Sequence, residues 1–155
     1  MYRKFEKILL IALVVSLTVG CDQTTKRVAE KTLKGAAVKS MLRDTVRLQY
    51  VENTGAFLGF GSRFPAHVKF WTFLMMPIAM LLGMLLFGLY SRKITRWQLM
   101  FLMMAVGGGV SNLIDRVFLN GRVTDFLNMG IGSLRTGIFN IADVAIMFGM
   151  FGLVF

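Results

Sequence analysis

The chain has 155 residues, enough for one domain, and its hydrophobic content of 55% excludes an ordinary soluble protein of this size. Its mean hydropathy of +0.64 indicates that the lipid bilayer is its solvent. The formal net charge is +10, but the lysines and arginines lie between apolar runs, so we expect them to meet anionic membrane lipids and not nucleic acid. One cysteine and one histidine exclude an internal disulfide and a zinc ligand set, and we expect no metal and no other cofactor.

The amino terminus combines a basic start, an uncharged run of 14 residues that ends at Cys21, and the tripeptide V-G-C. This order is typical of a bacterial lipoprotein signal, in which the cysteine is lipidated and the chain before it is removed. The position three before Cys21 is Thr18, where such a signal prefers leucine, and further apolar runs follow. We therefore expect a membrane-spanning helix over about residues 5–21, extended by Phe5 and a snorkelling Lys7, with Cys21 as a small apolar residue at its outer end.

Residues 22–66 form the predicted outer segment. Within it, T-V-R-L-Q-Y-V (Thr45 to Val51) alternates apolar and polar residues, as a half-buried strand does. The glycines of the following T-G-A-F-L-G-F-G favour a turn and more strand. We expect a small sheet on the outer face of the membrane.

Three further apolar runs complete the predicted membrane domain. Phe70 to Tyr90 is 21 residues without a charge, and Trp97 to Ile114 is 18 residues without a charge. Thr136 to Phe155 has 20 residues and a single charge, and about 20 residues suffice to span as a helix. The expectation is an all-α membrane fold in a single domain, residues 1–155, with four spans at about 5–21, 70–90, 97–114 and 136–155.

The orientation follows from the basic residues near the span ends. Arg3, Lys4 and Lys7 precede the first span, and Arg92, Lys93 and Arg96 lie in the short turn between the second and third. The positive-inside rule makes this side cytoplasmic, so both termini are predicted to be cytoplasmic. The outer segment is also basic, but short loops weigh more than long segments, which translocate despite their charge.

Two polar clusters interrupt the apolar chain near its end. The first is G-G-G-V-S-N-L-I-D-R, the second is F-N-I-A-D, and G-R-V-T-D-F lies between them. The candidate functional residues in these stretches are Asn112, Asp115, Arg116, Asp125, Asn140 and Asp143. In each cluster Asn and Asp are three apart and share a helix face. If the fourth helix starts near Thr136, Asp143 lies roughly 10 Å deep, where a carboxylate needs partners. We expect Asp125, in an irregular link, to dip back towards Asp143.

Two carboxylates a few ångströms apart cannot both ionise easily. One then takes a proton from water while the protonated one donates to a carbonyl oxygen, which is aspartic peptide-bond hydrolysis. Other interpretations stay open. Asp143 could make a helix-packing hydrogen bond, and Asp115 with Arg116 could be a structural ion pair. In a non-enzymatic proton- or ion-handling membrane protein, Asp143 would line a wet path.

Four blocks, in order, resemble bacterial lipoprotein signal peptidase (signal peptidase II) over nearly the full chain. They are D-Q-T-T-K (Asp22 to Lys26), N-T-G-A-F (Asn53 to Phe57), G-G-G-V-S-N-L-I-D-R with G-R-V-T-D-F (Gly107 to Phe126), and F-N-I-A-D (Phe139 to Asp143). The resemblance implies an intramembrane aspartic endopeptidase of the bacterial inner membrane, with four transmembrane helices and a small extracytoplasmic β-cradle. Such an enzyme removes signal peptides from prolipoproteins by cutting before a diacylglyceryl-modified lipobox Cys.

The same resemblance implies roles for individual residues. Asp125 and Asp143 would be the catalytic dyad, and no metal is implied. The residues implied to shape or support the site are Asp22, Lys26, Asn53, Gly55, Asn112, Asp115, Arg116 and Asn140. The cyclic peptide antibiotic globomycin is the expected inhibitor. Three departures from the family's pattern, at Phe57, Ser111 and Thr124, bear on substrate fit and leave both carboxylates in place.

Overall fold

The computed structural model describes residues 4–56 and 59–154, so Arg3, Phe57 and Phe155 of the sequence analysis lie outside the described residues. The elements in chain order are α1 (Lys4–Leu33), β1 (Lys39–Met41), β2 (Val46–Asn53), α2 (Ala66–Lys69), a π-helical turn (Phe70–Met75), α3 (Met76–Tyr90), α4 (Arg96–Phe118), β3 (Val123–Ile131), β4 (Leu134–Arg135) and α5 (Ile141–Val154). The fold is therefore mostly helical with a small sheet.

The first helix is longer than the sequence predicts. It was expected to end at about residue 21, but α1 continues to Leu33. The stretch after Cys21 holds good helix formers and no glycine until Gly35, which adopts the positive φ of 75° typical of a helix end. Its buried residues recur at helical spacing, so this half packs along one stripe: Asp22, Lys26, Ala29 and Leu33. The block D-Q-T-T-K consequently lies on a helix.

Three consecutive glycines make α4 the central helix. A Cβ on Gly107 would lie 2.8 Å from Thr18 of α1, and one on Gly109 would lie 2.6 Å from Leu81 of α3. Gly108 faces the carbonyl oxygen of Ala142 in α5. Successive helix residues point about 100° apart, so each glycine admits a different neighbour, as small residues do in membrane helix packing.

Length and composition identify two described helical segments that could cross a membrane, Ala66–Tyr90 and Arg96–Phe118, and α5 is a shorter apolar helix. The predicted run 70–90 thus extends to include α2, and the run 97–114 extends through Asp115 and Arg116. The fourth helix was expected to begin near Thr136, but it begins at Ile141. The intervening residues are extended, because Phe139 bridges to Leu127 of β3 and the Thr136 amide donates to the Met129 carbonyl.

The sheet has four antiparallel strands in the order β1-β2-β3-β4. The predicted strand near Thr45 to Val51 corresponds to β2. The expected irregular link around Asp125 is wrong, since β3 pairs with β2 there and Val51 lies opposite Asp125. The expected strand after Asn53 is also absent from the described residues of that stretch, 54–56 and 59–61, which form turns.

A small apolar core joins the sheet to α1. Ala29 and Leu33 of α1 pack against Phe126 of β3, with Leu48 and Tyr50 of β2 at its margin. The C-terminal half of α1 thus packs against the sheet. The strand that carries Asp125 is held between the helix bundle and β2.

Candidate active site

The two aspartates of the predicted dyad line one cavity of about 530 Å³. Asp125 is the third residue of β3, and Asp143 lies in the first turn of α5. The predicted depth of Asp143, seven residues into a helix starting at Thr136, is therefore wrong, because that helix starts two residues before it. Both carboxylates belong to the end of the bundle that meets the sheet.

Asn140 and Asp143 cap the start of α5 reciprocally. The Asn140 amide N–H donates to Asp143 Oδ2 at 3.1 Å, and the Asp143 amide N–H donates to Asn140 Oδ1 at 2.9 Å. This is the pattern of a capping box, which satisfies amide groups that a helix start leaves free. Asn140 precedes the helix, so the shared helix face expected for this pair is replaced by a cap. The positive end of the helix dipole lies beside the Asp143 carboxylate.

Two asparagine side chains link the carboxylates. Asn140 Nδ2 donates to Asp125 Oδ1 at 2.7 Å, and Asn112 Nδ2 donates to Asp143 Oδ1 at 3.0 Å. Asn140 Nδ2 also lies 3.2 Å from Asn112 Oδ1. From β2, Asn53 Nδ2 donates to Asp125 Oδ2 at 3.0 Å. Each carboxylate is thus held by amide donors from two directions.

A buried charge cluster lies behind Asn112. Lys26 Nζ is 2.7 Å from Asp22 Oδ2, 3.0 Å from Asp115 Oδ2 and 2.8 Å from Asn112 Oδ1. Lys26 and Asn140 both donate to the Asn112 oxygen, so the Asn112 amide nitrogen must face Asp143. The cluster therefore fixes the orientation of the amide that contacts the dyad.

Asp115 does not pair with Arg116, so the ion pair considered from the sequence is wrong. The Asp115 carboxylate accepts instead from Lys26, from Gln23 Nε2 at 2.8 Å and from the Thr124 amide at 3.0 Å. Sequence reasoning missed Gln23, because its contact with Asp115 depends on the continuation of α1.

Ser111, at a position that departs from the family's pattern, belongs to the same cluster. Its hydroxyl donates to Asp22 Oδ2 at 2.7 Å, and the other oxygen of Asp22 accepts from the Ala142 amide at 2.7 Å. Asp22 thus ties α1 to both α4 and the start of α5. The sequence offered no signal for the Ser111 contact beyond its place one residue before Asn112.

Arg116 faces the cavity from α4. Its Nη2 donates to the Gly55 carbonyl at 3.1 Å, and its guanidinium lies 5.8 Å from the centre of the Phe73 ring. Its Nε is buried and has no acceptor among the described residues. Gly55 has no room for a side chain, because the backbone of Gly59 lies 2.8 Å from where a Cβ would stand.

Burial raises the pKa of Asp125 to about 6, and the neighbouring Asp143 carboxylate acts in the same direction, while the donors Asn53 and Asn140 oppose it. A carboxyl with this pKa can hold a proton at near-neutral pH, which an acid catalyst requires. No group of His, Cys, Asp and Glu among residues 4–56 and 59–154 could hold a metal ion.

The cavity changes character along its length. Its polar end holds the dyad with Asn53, Asn112 and Arg116, and its other end runs between α3, α4 and α5. The side chains there are apolar and include Met80, Met84, Leu102, Ile146, Met150 and Leu153. The site can hold a peptide bond beside two carboxylates and a long apolar group next to it.

Comparison with known proteins agrees with this arrangement of helices and sheet. A family model described as signal peptidase (SPase) II matches residues 14–155. A lipoprotein signal peptidase of Chlorobium phaeobacteroides is 34% identical over 144 residues, covering 88% of this chain and 82% of that protein. One of Maridesulfovibrio salexigens is 31% identical over 151 residues, covering 96% and 95%. A bacterial membrane enzyme structure solved in meso at 2.3 Å aligns with a TM-score of 0.79 and 25% identity, over 93% of this chain and 84% of that chain.

Proposed function

The chain belongs to the signal peptidase II family, and we propose that Asp125 and Asp143 are the catalytic dyad of its aspartic endopeptidase activity. The chain removes signal peptides from prolipoproteins, and it is a membrane protein. The observation that supports the dyad is that both carboxylates line one cavity and are linked through Asn140 and Asn112. The non-enzymatic, ion-handling alternative is not favoured, because the matched relatives are peptidases.

The two carboxylates take different roles in the proposed reaction. Asp143 lies in the first turn of α5, beside the positive end of the helix dipole, and is the ionised base. Asp125, with its raised pKa, is the acid. Asp143 removes a proton from water, the water oxygen attacks the scissile carbonyl carbon, and Asp125 gives its proton to the carbonyl oxygen. The C–N bond then breaks as a proton passes to the leaving nitrogen, and the second product is the carboxylic acid.

Supporting residues hold this geometry in the proposal. Asn53, Asn112 and Asn140 orient the carboxylates. The buried cluster of Asp22, Lys26 and Asp115 orients Asn112 through the contact of Lys26 with the Asn112 side-chain oxygen. Gly55 and Arg116 line the polar end of the cavity. These are positioning roles, because their contacts run to the dyad or to its neighbours.

The proposed membrane arrangement has four spans in a single domain over residues 1–155 of a bacterial inner membrane. The apolar half of α1, the segments Ala66–Tyr90 and Arg96–Phe118, and α5 each cross, with both termini cytoplasmic. Short basic loops at the cytoplasmic ends support this orientation. The sheet then lies outside the membrane, and the dyad lies at the outer leaflet edge.

The proposed substrate is a prolipoprotein whose lipobox cysteine carries a diacylglyceryl group, cut immediately before that cysteine. The apolar end of the cavity, between α3 and α5, suits acyl chains, while the peptide lies at the polar end. Burial of two acyl chains, at about 0.8 kcal/mol per buried CH₂, would hold the scissile bond beside the dyad at the outer leaflet edge. Membrane lipids surround the same opening, and globomycin is expected to occupy the polar end as a competitor.

Asparagine substitutions test the dyad. Asp125→Asn and Asp143→Asn should each abolish cleavage of a diacylglyceryl-modified prolipoprotein, followed by gel shift in detergent micelles, because each removes one proton-transfer group. Glu30→Gln, at an exposed acid on α1, is the control and should cleave normally. Near wild-type cleavage by either folded aspartate variant would disprove the assignment.

A further inference from the structure

A second cavity, of about 300 Å³, is lined by neither of the two aspartates. Arg116 lines both cavities. The second one is also lined by Lys69, Phe73, Asn120 and Arg122, and no acidic side chain is among its described lining residues. Three cationic side chains thus converge on a pocket that the proposed reaction does not use.

The cations of this pocket differ in how far they are neutralised, and Arg116 is attracted by the carboxylates of Asp143, Asp125 and Asp115. Arg122 pairs with Glu52. Lys69 makes no ion pair with any residue in the described ranges 4–56 and 59–154, and it is half-buried. The Nη atoms of Arg116 donate to carbonyl oxygens, but its Nε is buried without an acceptor in the same part of the chain. A buried donor without a partner is unfavourable, so an acceptor in the pocket would stabilise the protein.

The position of the pocket indicates the kind of anion. Lys69 immediately precedes the apolar part of Ala66–Tyr90, and Asn120 and Arg122 lie two and four residues after the end of α4. In the proposed four-span arrangement, on which this inference rests, both helix ends lie at the outer membrane boundary. Phe70 and Trp71 are exposed at the same level, 46% and 64%, as aromatic residues at a membrane interface are.

We propose that this pocket binds the phosphate group of an anionic phospholipid of the outer leaflet. A phosphodiester supplies acceptor oxygens for Lys69 and for the Arg116 guanidinium, which both line the pocket, and it lies at the depth of the helix ends. Its acyl chains would run down the membrane-facing surface beside Phe70. Because Arg116 also lines the dyad cavity, the bound lipid would hold its guanidinium in place and support catalysis.

Lipid binding by the full chain tests the site without relying on catalysis. Phosphatidylglycerol is titrated into the detergent-solubilised protein, and bound lipid is counted by native mass spectrometry, with Asp125→Asn as an inactive background. Lys69→Gln should weaken binding about fivefold, the factor expected for one lysine at an anionic lipid surface. Lys69→Arg should restore binding. Lys31→Gln, at an exposed lysine on α1, is the matched control and should bind as the wild type does. Equal binding by Lys69→Gln and Lys31→Gln overturns the proposal.

Competition and activity complete the test. If inorganic phosphate displaces the lipid, the pocket binds phosphate and can hold the free ion as well as the lipid. If phosphate does not displace the lipid, the lipid is the occupant. An acidic peptide that binds in place of phosphatidylglycerol, with the same dependence on Lys69, overturns the proposal. In nanodiscs, adding phosphatidylglycerol to phosphatidylcholine should raise the rate of the wild type and of Lys31→Gln but not that of Lys69→Gln.

Discussion

Gly149→Ala tests whether the packing of α5 on α4 sets the position of Asp143. A Cβ at Gly149 would lie 2.5 Å from the Phe101 carbonyl oxygen and 2.7 Å from the Ala105 amide nitrogen. Both are backbone atoms of α4 and cannot rotate away. Ordinary contact begins at 3.4 Å, so the two helices must separate by about 0.9 Å, which is 3.4 minus 2.5.

The expected cost of this separation follows from two opposing effects. Overpacking costs about 1–3 kcal/mol, and replacing a helical glycine by alanine returns about 0.5–1 kcal/mol. We expect a net loss near 1–2 kcal/mol, or roughly 2–8 °C in unfolding temperature for a chain of this size. The larger effect falls on activity, because a misplacement of about 1 Å can reduce the rate about a hundredfold.

The assay compares kcat/KM and detergent unfolding temperature for Gly149→Ala and Gly83→Ala. A Cβ at Gly83 meets nothing within 4 Å, so this control changes the same residue type in a neighbouring helix without a clash. Gly83→Ala should retain its rate and unfold at the same temperature or slightly higher. If Gly149→Ala behaves as Gly83→Ala does, the close approach of α4 and α5 does not position Asp143, and the reasoning is refuted.

Three further predictions concern the dyad and the groups around it. Lys26→Met leaves the buried carboxylates of Asp22 and Asp115 without their cation, so it should destabilise the protein by about 3–5 kcal/mol, measured by unfolding in detergent; a change below about 1 kcal/mol would contradict the role of the cluster. In the proposed mechanism Asp125 acts as the acid and must be protonated, so kcat/KM of the free enzyme should fall as pH rises through about 6. Asn53→Ala removes a donor that lowers this pKa, so the fall should move to higher pH, and a fall that stays or moves lower would disprove the assignment.

The carboxylates could be found from the sequence, but the elements that carry them could not. Asp125 and Asp143 are conspicuous because few charges interrupt the apolar chain near its end. The strand β3 was hidden because its polar residues are buried: Asp125 and Asn128 obscure the apolar pattern of a strand. The absence of charge also gave the wrong start for α5, since residues 136–140 carry no charge but are extended.

The length of α1 was misjudged for a related physical reason. The charged residues after Cys21 predict that the chain leaves the membrane there, and the predicted helix ends at the same point. Leaving the bilayer does not require a helix to stop, and Lys26 is 4% exposed because Asp22 and Asp115 neutralise it. A buried lysine between two aspartates depends on a distant helix, α4, which no local pattern reveals.

The continuous helix α1 sets the distance between the helix bundle and the sheet. From Cys21 to Leu33 it advances about 18 Å, at 1.5 Å per residue, and each residue also turns it by about 100°. Its contacts with α4 at Lys26 and with β3 at Leu33 therefore share one rotational phase. Adding or removing a single residue between them would turn one set of contacts away from its partner. The distance along α1 and the rotation about its axis are thus fixed together. The side chains of this stretch can vary, but a change in its length would move the sheet relative to the dyad.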